Sequence, residues 1–326
     1  MTGRLSWGWI ALFLVAIAVL SVASLFAGKV WIPWDAWFAN DLRWTIIAEL
    51  RVPRTILAIA VGAALGMCGA ALQGYTRNPL ADPGVLGVSS SAAFGAVVTL
   101  YIGMGAASPW LLPVGGIVGG ITGTVLLLLF SGATSSLVAF ILTGMVLNTI
   151  AGAGISLALN LAPTPWAVNE IVNWLLGSLL DRSFDDVTFA LPFIAVGMAL
   201  MMTTTRALDA LTLGEATARS LGIRLNAVRF WLVVGVGLGA GASVAVTGVI
   251  GFVGLVTPHL VRPLVGSRPG AVLLPSALAG AVIVLAADIL VRVVPSTVEL
   301  KLGIAMAVLG GPFFLMRLIA LRRVVA

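Results

Sequence analysis

Few residues in this chain could do chemistry. His259 is the only histidine, Cys68 the only cysteine, and Lys29 and Lys301 the only lysines. One histidine cannot build a His-pair metal site within one chain. One cysteine forms no intrachain disulfide, and Cys68 reads as packing. No GxSxG elbow stands near a histidine, which excludes a serine hydrolase of that kind. Neither lysine sits in GxxxxGK[ST], so the chain has no Walker A loop of its own. Asp288 is the one acid within a long apolar run, fewer buried ionisable groups than an ion-coupled carrier needs. His259 beside Arg262 reads as a tether at a helix end. What remains is charge placed for contact. Between Ala207 and Ala227 lies a polar island carrying Asp209, Glu215, Arg219 and Arg224, with Arg206 and Arg229 beside it. A second set, Arg51, Arg54 and Arg292, lies far away in sequence. Its spacing fits lipid-headgroup anchoring and a landing site for an acidic partner equally well.

The elements that must position these charges are set by composition. The chain is 60% hydrophobic and 9% charged, where a soluble domain carries about 25% charged residues. The apolar runs are continuous, not alternating, so the chain is an all-α polytopic membrane protein. The runs are Trp7–Ala27, Ile56–Leu72, Ala92–Ile102, Leu111–Phe130, Leu137–Leu161, Val187–Thr203, Phe230–Ile250, Val272–Leu290 and Ile304–Leu321. Val253–Val265, with Pro258 and Pro263 inside it, makes a tenth. Residues 1–326 read as one transmembrane domain, its contact segment at about 206–227. The first helix reads as retained, because its apolar run exceeds a secretory h-region.

Charge orients the spans. With both termini in the cytoplasm, the inner ends hold Arg4, Arg77, Arg206, Arg219, Arg224, Arg229, Arg262, Arg268, Arg317, Arg322 and Arg323. The outer ends hold Lys29, Arg43, Arg51, Arg54, Arg182, Arg292 and Lys301. That excess obeys the positive-inside rule. Asp35, Asp41, Glu49, Glu170, Asp181, Asp185, Asp186 and Glu299 fall outside, and Trp31, Trp34, Trp37 and Trp44 form an outer aromatic belt. Gly62, Gly66, Ala70 and Gly74 share one helix face, as do Gly115, Gly119 and Gly123, and Gly235 and Gly239. Small residues let helix backbones approach closely in lipid. Two stretches break the helical pattern, Arg77–Ser91 and Gly251–Gly266. Irregular backbone at membrane depth must face protein or a watery cavity.

These stretches also carry a resemblance. RVPRTILAIAVGAALGMCGAALQGYTRNPLADPGVLGVSS, WLLGSL, LTLGEATARSLGI, GVIGFVGLVTPHLVR, ALAGA…LAADILVR and GGPFFL run in order from Arg51 to Leu315. In these the chain resembles the permease subunit of bacterial ABC importers for iron–siderophores, haem and cobalamin. The resemblance implies a type II importer permease of ten helices, paired as a homodimer around a central pathway in the bacterial inner membrane. It implies two separate ATPase subunits, which use ATP and Mg, and a periplasmic substrate-binding protein. It implies no cofactor held by this chain, no catalysis of its own and no nucleic-acid partner. It assigns ATPase coupling to Leu213, Gly214, Glu215, Ala218, Arg219, Leu221 and Gly222, with Leu213–Ile223 forming two short helices split near Gly214 and Gly222. Arg51, Arg54 and Arg292 match positions that in the cobalamin importer receive glutamates of the binding protein. Asn78, Pro79 and Leu80 match the cytoplasmic gate loop. Lys301 departs from the family's proline in ELPxG. The cargo implied is a metal chelate, first a ferric siderophore, with haem and cobalamin as alternatives. The rival class is an ion-coupled secondary transporter, whose transport would collapse with the ion gradient.

Overall fold

Helix ends in this chain follow its prolines, glycines and polar caps. The computed structural model describes residues 3–28, 32, 42–103, 108, 110–131, 137–295 and 300–325, with the side chains of 3–7, 42 and 317–325 outside that description. Lys29, Trp31, Trp34, Asp35, Trp37, Asp41 and Glu299, and the side chains of Arg4, Arg317, Arg322 and Arg323, therefore lie outside the described residues.

The described chain is all helix, with no strand. In order come α1 (Gly3–Phe26), α2 (Leu42–Thr45), a π-helical turn (Ile46–Arg51), α3 (Val52–Thr76), α4 (Val88–Tyr101), α5 (Leu111–Phe130), α6 (Leu137–Asn160) and α7 (Pro165–Leu175). They are followed by α8 (Phe184–Thr203), α9 (Thr205–Leu211), α10 (Glu215–Ser220), α11 (Leu225–Thr247), α12 (Val253–Val265), α13 (Pro269–Val293) and α14 (Leu302–Val325). Seven are long and apolar enough to cross a membrane, and Val88–Tyr101, Val253–Val265 and Leu302–Met316 are shorter apolar helices. Caps explain several boundaries. Thr164 Oγ1 accepts the Ala167 N–H at the start of α7, and Ser183 with Asp186 forms a capping box on α8.

α3 is the hub. Most of its side chains from Pro53 to Thr76 are buried, against α13, α12, α8 and α11. Gly62 meets the Gly280 backbone of α13, and Gly69 meets the Gly254 backbone of α12, with no room for a Cβ at either crossing. Apolar contact with lipid gives little drive for helix association, so such close backbone approach carries the packing. α4 and α5 cross at Gly95, Gly115 and Gly119, and α8 and α11 at Gly197 and Gly235. The helix face of Gly62 and Gly66 was legible in sequence; the partner glycines Gly254 and Gly280 were not. α1 and α6 are the opposite case, with Leu12, Val15, Val19, Val138, Leu142 and Val146 all exposed.

The second helix-breaking stretch is not broken where the prolines sit. α12 runs unbroken through Pro258 and Pro263. The irregular backbone comes before it, at Gly248 (φ 70°) and Phe252 (φ 68°). Pro258 has no N–H to give the carbonyl four residues back, that of Gly254. The side chain of Gln73 supplies the missing donor, its Nε2 lying 3.2 Å from Gly254 O. A side chain on α3 thus repairs the helix, as membrane helices require for freed backbone groups.

Hydrogen bonds sort the helix ends into two groups, as an up-and-down bundle demands. At one end the Gly270 N–H of α13 donates to Asp209 of α9, 2.8 Å. At the other, Ser178 N–H donates to Thr247 O and Gly303 N–H to Gly177 O. The polar island belongs to the first end and the arginine set to the second.

Candidate functional site

The polar island folds as two short helices, shifted from the expected register. The first, α9, precedes Leu213, and only α10 lies within Leu213–Ile223. The break at Gly214 is where the sequence places it. Gly214 has φ 94° and ψ 157°, a region open essentially to glycine alone. The second break is a Schellman turn. Gly222 (φ 82°) donates its N–H to Arg219 O, and Ile223 N–H reaches Ala218 O. Leu208 and Leu211 bury α9 beneath the bundle, and Ala218 fastens α10. Leu213 and Leu221 remain exposed on either side of α10. An apolar pair flanking Glu215 and Arg219 has the makeup of a protein contact surface. Arg229 is not part of that surface. It is buried, donating from Nε to the Tyr75 hydroxyl at 2.9 Å, because α11 begins at Leu225 and carries it inward.

Glu215 links this surface to the loop after α3. Arg219 Nη2 lies 3.3 Å from Glu215 Oε2, and Arg77 Nη2 lies 4.0 Å from Oε1. Arg77 caps α3 in the left-handed region, φ 51°. The residues that follow are Asn78, Pro79 and Leu80. Asn78 Oδ1 accepts the Leu80 N–H at 2.9 Å, an Asx turn that keeps the stretch out of helix. Leu80 is exposed. His259 Nε2 lies 3.1 Å from Pro79 O, and its ring meets Phe314 of α14 edge-on. Arg262 donates to Gln73 Oε1 at 2.7 Å. The tether read at His259 and Arg262 therefore joins α12 to α3 and its loop. Sequence reasoning missed Gln73 and Asp82. Asp82 accepts the Gly84 N–H at 2.9 Å. Burial pushes its carboxyl up, and the Gly84 N–H pulls the other way.

The arginine set converges at the opposite end, but not in water. Arg51, Arg54 and Arg292 are only 5–7% exposed. Arg54 grips Asp288 with two nitrogens, Nε and Nη2, at 3.0 and 2.8 Å from Oδ1. Arg292, one helical turn beyond Asp288, reaches its Oδ2 at 2.8 Å. The other donors close the last turn of α1. Arg51 Nη1 donates to Leu25 O and Phe26 O, and Arg292 Nη1 to Ser24 O and Ala27 O. Thr55 and Ser24 hydroxyls join the cluster at 2.7 Å. A helix C-terminus presents four unpaired carbonyls and negative charge, and here two guanidinium groups serve it. Arg51, Arg54 and Arg292, placed at the outer ends by sequence, thus form a buried clamp on α1, α3 and α13. The burial was illegible because Arg54 and Asp288 stand 234 residues apart.

A family model described as the FecCD transport family matches residues 15–320. The Fe(3+) dicitrate transport system permease protein FecD of Escherichia coli is 35% identical over 312 residues, covering 94% of this chain and 97% of that protein. The vitamin B12 import system permease protein BtuC of Citrobacter koseri is 35% identical, covering 97% of this chain and 95% of that protein. A solved structure described as an inward-facing conformation of a metal-chelate type ABC transporter superposes with a TM-score of 0.86. It is 30% identical, covering 95% of this chain and 97% of that one.

Proposed function

The chain belongs to the FecCD transport family, and on that premise we propose that it is the permease subunit of an ATP-driven importer of a metal chelate in a bacterial inner membrane. Two copies line one pathway, each with ten spans and both termini in the cytoplasm. Separate ATPase subunits, which bind the ATP and Mg, engage the face of α10, and a periplasmic binding protein delivers the cargo. The relative named for Fe(3+) dicitrate supports a ferric chelate as the cargo, and the relative named for vitamin B12 supports cobalamin as the second reading.

One observation carries the mechanism. Glu215, at the start of α10, stands between Arg219 and Arg77. Arg77 opens the Asn78–Leu80 loop, and His259 holds Pro79 O from the other side. A push on α10 by an ATPase therefore reaches the gate loop through one side chain. Exposed ion pairs contribute only about 0–1 kcal/mol, so this link can slacken and re-form as the gate moves. The binding protein docks over the arginine clamp in this reading, its carboxylates reaching Arg51, Arg54 and Arg292 by competing with Asp288 and the α1 carbonyls that hold them.

Reconstitution tests the whole. The chain is assembled in proteoliposomes with its cognate ATPase and binding protein. ATP-dependent chelate uptake that persists after ion gradients are collapsed is the expected result. Uptake that needs no ATP and stops with the gradient would establish the secondary-transporter class instead.

The gate makes a separate prediction. Cys68 is buried, and a Cys68→Ser background leaves a single introduced thiol. Leu80→Cys in that background is expected to crosslink between the two copies in at least one nucleotide state, because Leu80 is exposed at the loop tip. No crosslink in any state, with short and long reagents alike, would move the gate elsewhere.

A further inference from the structure

α12 begins on a strained residue. Phe252, its N-cap, has φ 68° and ψ −19°, a left-handed backbone that a bulky side chain avoids. The glycine beside it does not take the turn. A Cβ at Gly251 would meet nothing within 4 Å, and Gly251 is not left-handed. The chain thus puts the left-handed angle on an aromatic residue and spares the glycine. Such strain lasts only where surrounding contacts over-determine it. What holds Phe252 therefore matters.

The Phe252 side chain lies against the backbone of α14. A Cβ at Gly310 would stand 2.5 Å from Phe252 Cβ and 2.6 Å from its Cγ, so only glycine admits the ring there. A Cβ at the neighbouring Gly311 would meet nothing within 4 Å. Pro312 follows, with no N–H to give the Val308 carbonyl. Prolines and flexible small-residue pairs are where helices bend. The first turn of α14 is anchored, since Gly303 N–H donates to Gly177 O at 3.2 Å. Beyond Pro312, Phe314 meets the His259 ring edge-on, with centroids 6.5 Å apart. His259 Nε2 in turn lies 3.1 Å from Pro79 O. Phe252 stands at the weak point between the anchored part of α14 and the part that reaches the gate loop.

We propose that Phe252 is the positioning residue of the gate. Its ring, held on a strained backbone, sets the course of α14 through Gly310–Pro312, and Phe314 and His259 pass that setting to Pro79. The proposal rests on the permease reading and deepens it, naming a second support for the gate loop beside Glu215. A push arriving through Glu215 then works against this support. Release of Phe252 from its left-handed angle lets the end of α14 and the loop shift together.

The test uses the full-length chain assembled with its ATPase and binding protein. Phe252→Gly and Gly310→Ala break the contact from either side. Chelate uptake per ATP hydrolysed is expected to fall about tenfold in both, within the range that packed coupling networks show. Phe252→Leu, which keeps an apolar side chain on the same backbone, should stay within about threefold of wild type. Spin labels at Leu80→Cys and Val308→Cys, both exposed positions, read the geometry directly. They are placed in the Cys68→Ser background, diluted with unlabelled chain, and their distance distribution should widen in Phe252→Gly and Gly310→Ala. Strain has its own signature: Phe252→Gly should melt above Phe252→Ala, because glycine alone relieves the left-handed angle. Should Gly310→Ala misfold, Phe252→Gly and Phe252→Leu make the comparison, with thermal melting as the folding control. Unchanged uptake per ATP or unchanged distances in the contact variants overturns the proposal, as does Phe252→Ala melting at or above Phe252→Gly. Normal wild-type uptake alongside such a result leaves the permease standing. No ATP-driven uptake by the wild-type complex, with distances that still depend on Phe252, removes the permease reading and leaves Phe252 as the support of the loop.

Discussion

Replacing Asp288 with alanine is expected to cost about 3–5 kcal/mol of stability, because it strands two buried arginines. Asp288 is fully buried and accepts from both Arg54 and Arg292. With it gone, Arg54 keeps its charge in a site that is 7% exposed. The same change frees Arg292 from one partner while its bonds to α1 remain, so α1 should loosen at its outer end first. Melting in nanodiscs reads the first effect, and protease cleavage after Ala27 reads the second. Asp288→Asn, which keeps an acceptor oxygen and loses the charge, should fall between wild type and alanine. Melting and protection unchanged in Asp288→Ala would show that the ion triad holds nothing together. The burial also changes how docking must be probed. Arg51→Glu with Arg54→Glu places two new acids beside Asp288 and against the carbonyls of α1, so lost docking could be lost fold. Arg51→Lys keeps the charge but not the planar fork, and leaves the Arg54–Asp288 pair intact.

Much of the architecture is written in local sequence, and the limits of that legibility are physical. Leu111–Phe130 and Val253–Val265 appear as helices with the ends their apolar runs indicate. Elsewhere the ends shift by a few residues: α3 begins at Val52, where Pro53 suits a first turn, and α11 stops at Thr247, short of the Ile250 its apolar run indicates, because Gly248 turns the chain at φ 70°. Composition failed where a distant side chain decides the local outcome. Pro258 signals a broken helix to any local reading, yet Gln73 satisfies the carbonyl it frees. Arg51, Arg54 and Arg292 read as surface charges because their acceptors, the last turn of α1 and Asp288, are distant in sequence. The polar island was visible by charge alone. Its first helix was displaced because Leu208 and Leu211, apolar residues inside a polar segment, are what pin α9 to the bundle.

The coupling segment should fail most completely at Gly214. Its φ of 94° cannot be met by proline, whose ring fixes φ near about −65°. A Cβ at Gly214 would meet nothing within 4 Å, so any defect comes from the backbone and not from crowding. Gly214→Pro therefore re-aims α10 relative to α9, and carries Glu215 away from Arg77 and Arg219. The local strain is worth about 1–3 kcal/mol, too little to unfold a bundle whose core lies elsewhere. The fold and the pairing of subunits are expected to survive, with ATPase binding and transport-coupled hydrolysis reduced to background. Gly214→Ala, strained in the same direction without the ring, should lose part of the coupling. Glu215→Arg should lose most of it by a different route, since it sets three positive charges together where one carboxylate now joins two. Normal ATPase binding and normal coupled hydrolysis in Gly214→Pro would mean that α10 is not the surface the ATPase pushes. The link from Glu215 to the gate loop would then be an ordinary surface ion pair, contributing no more than about 0–1 kcal/mol.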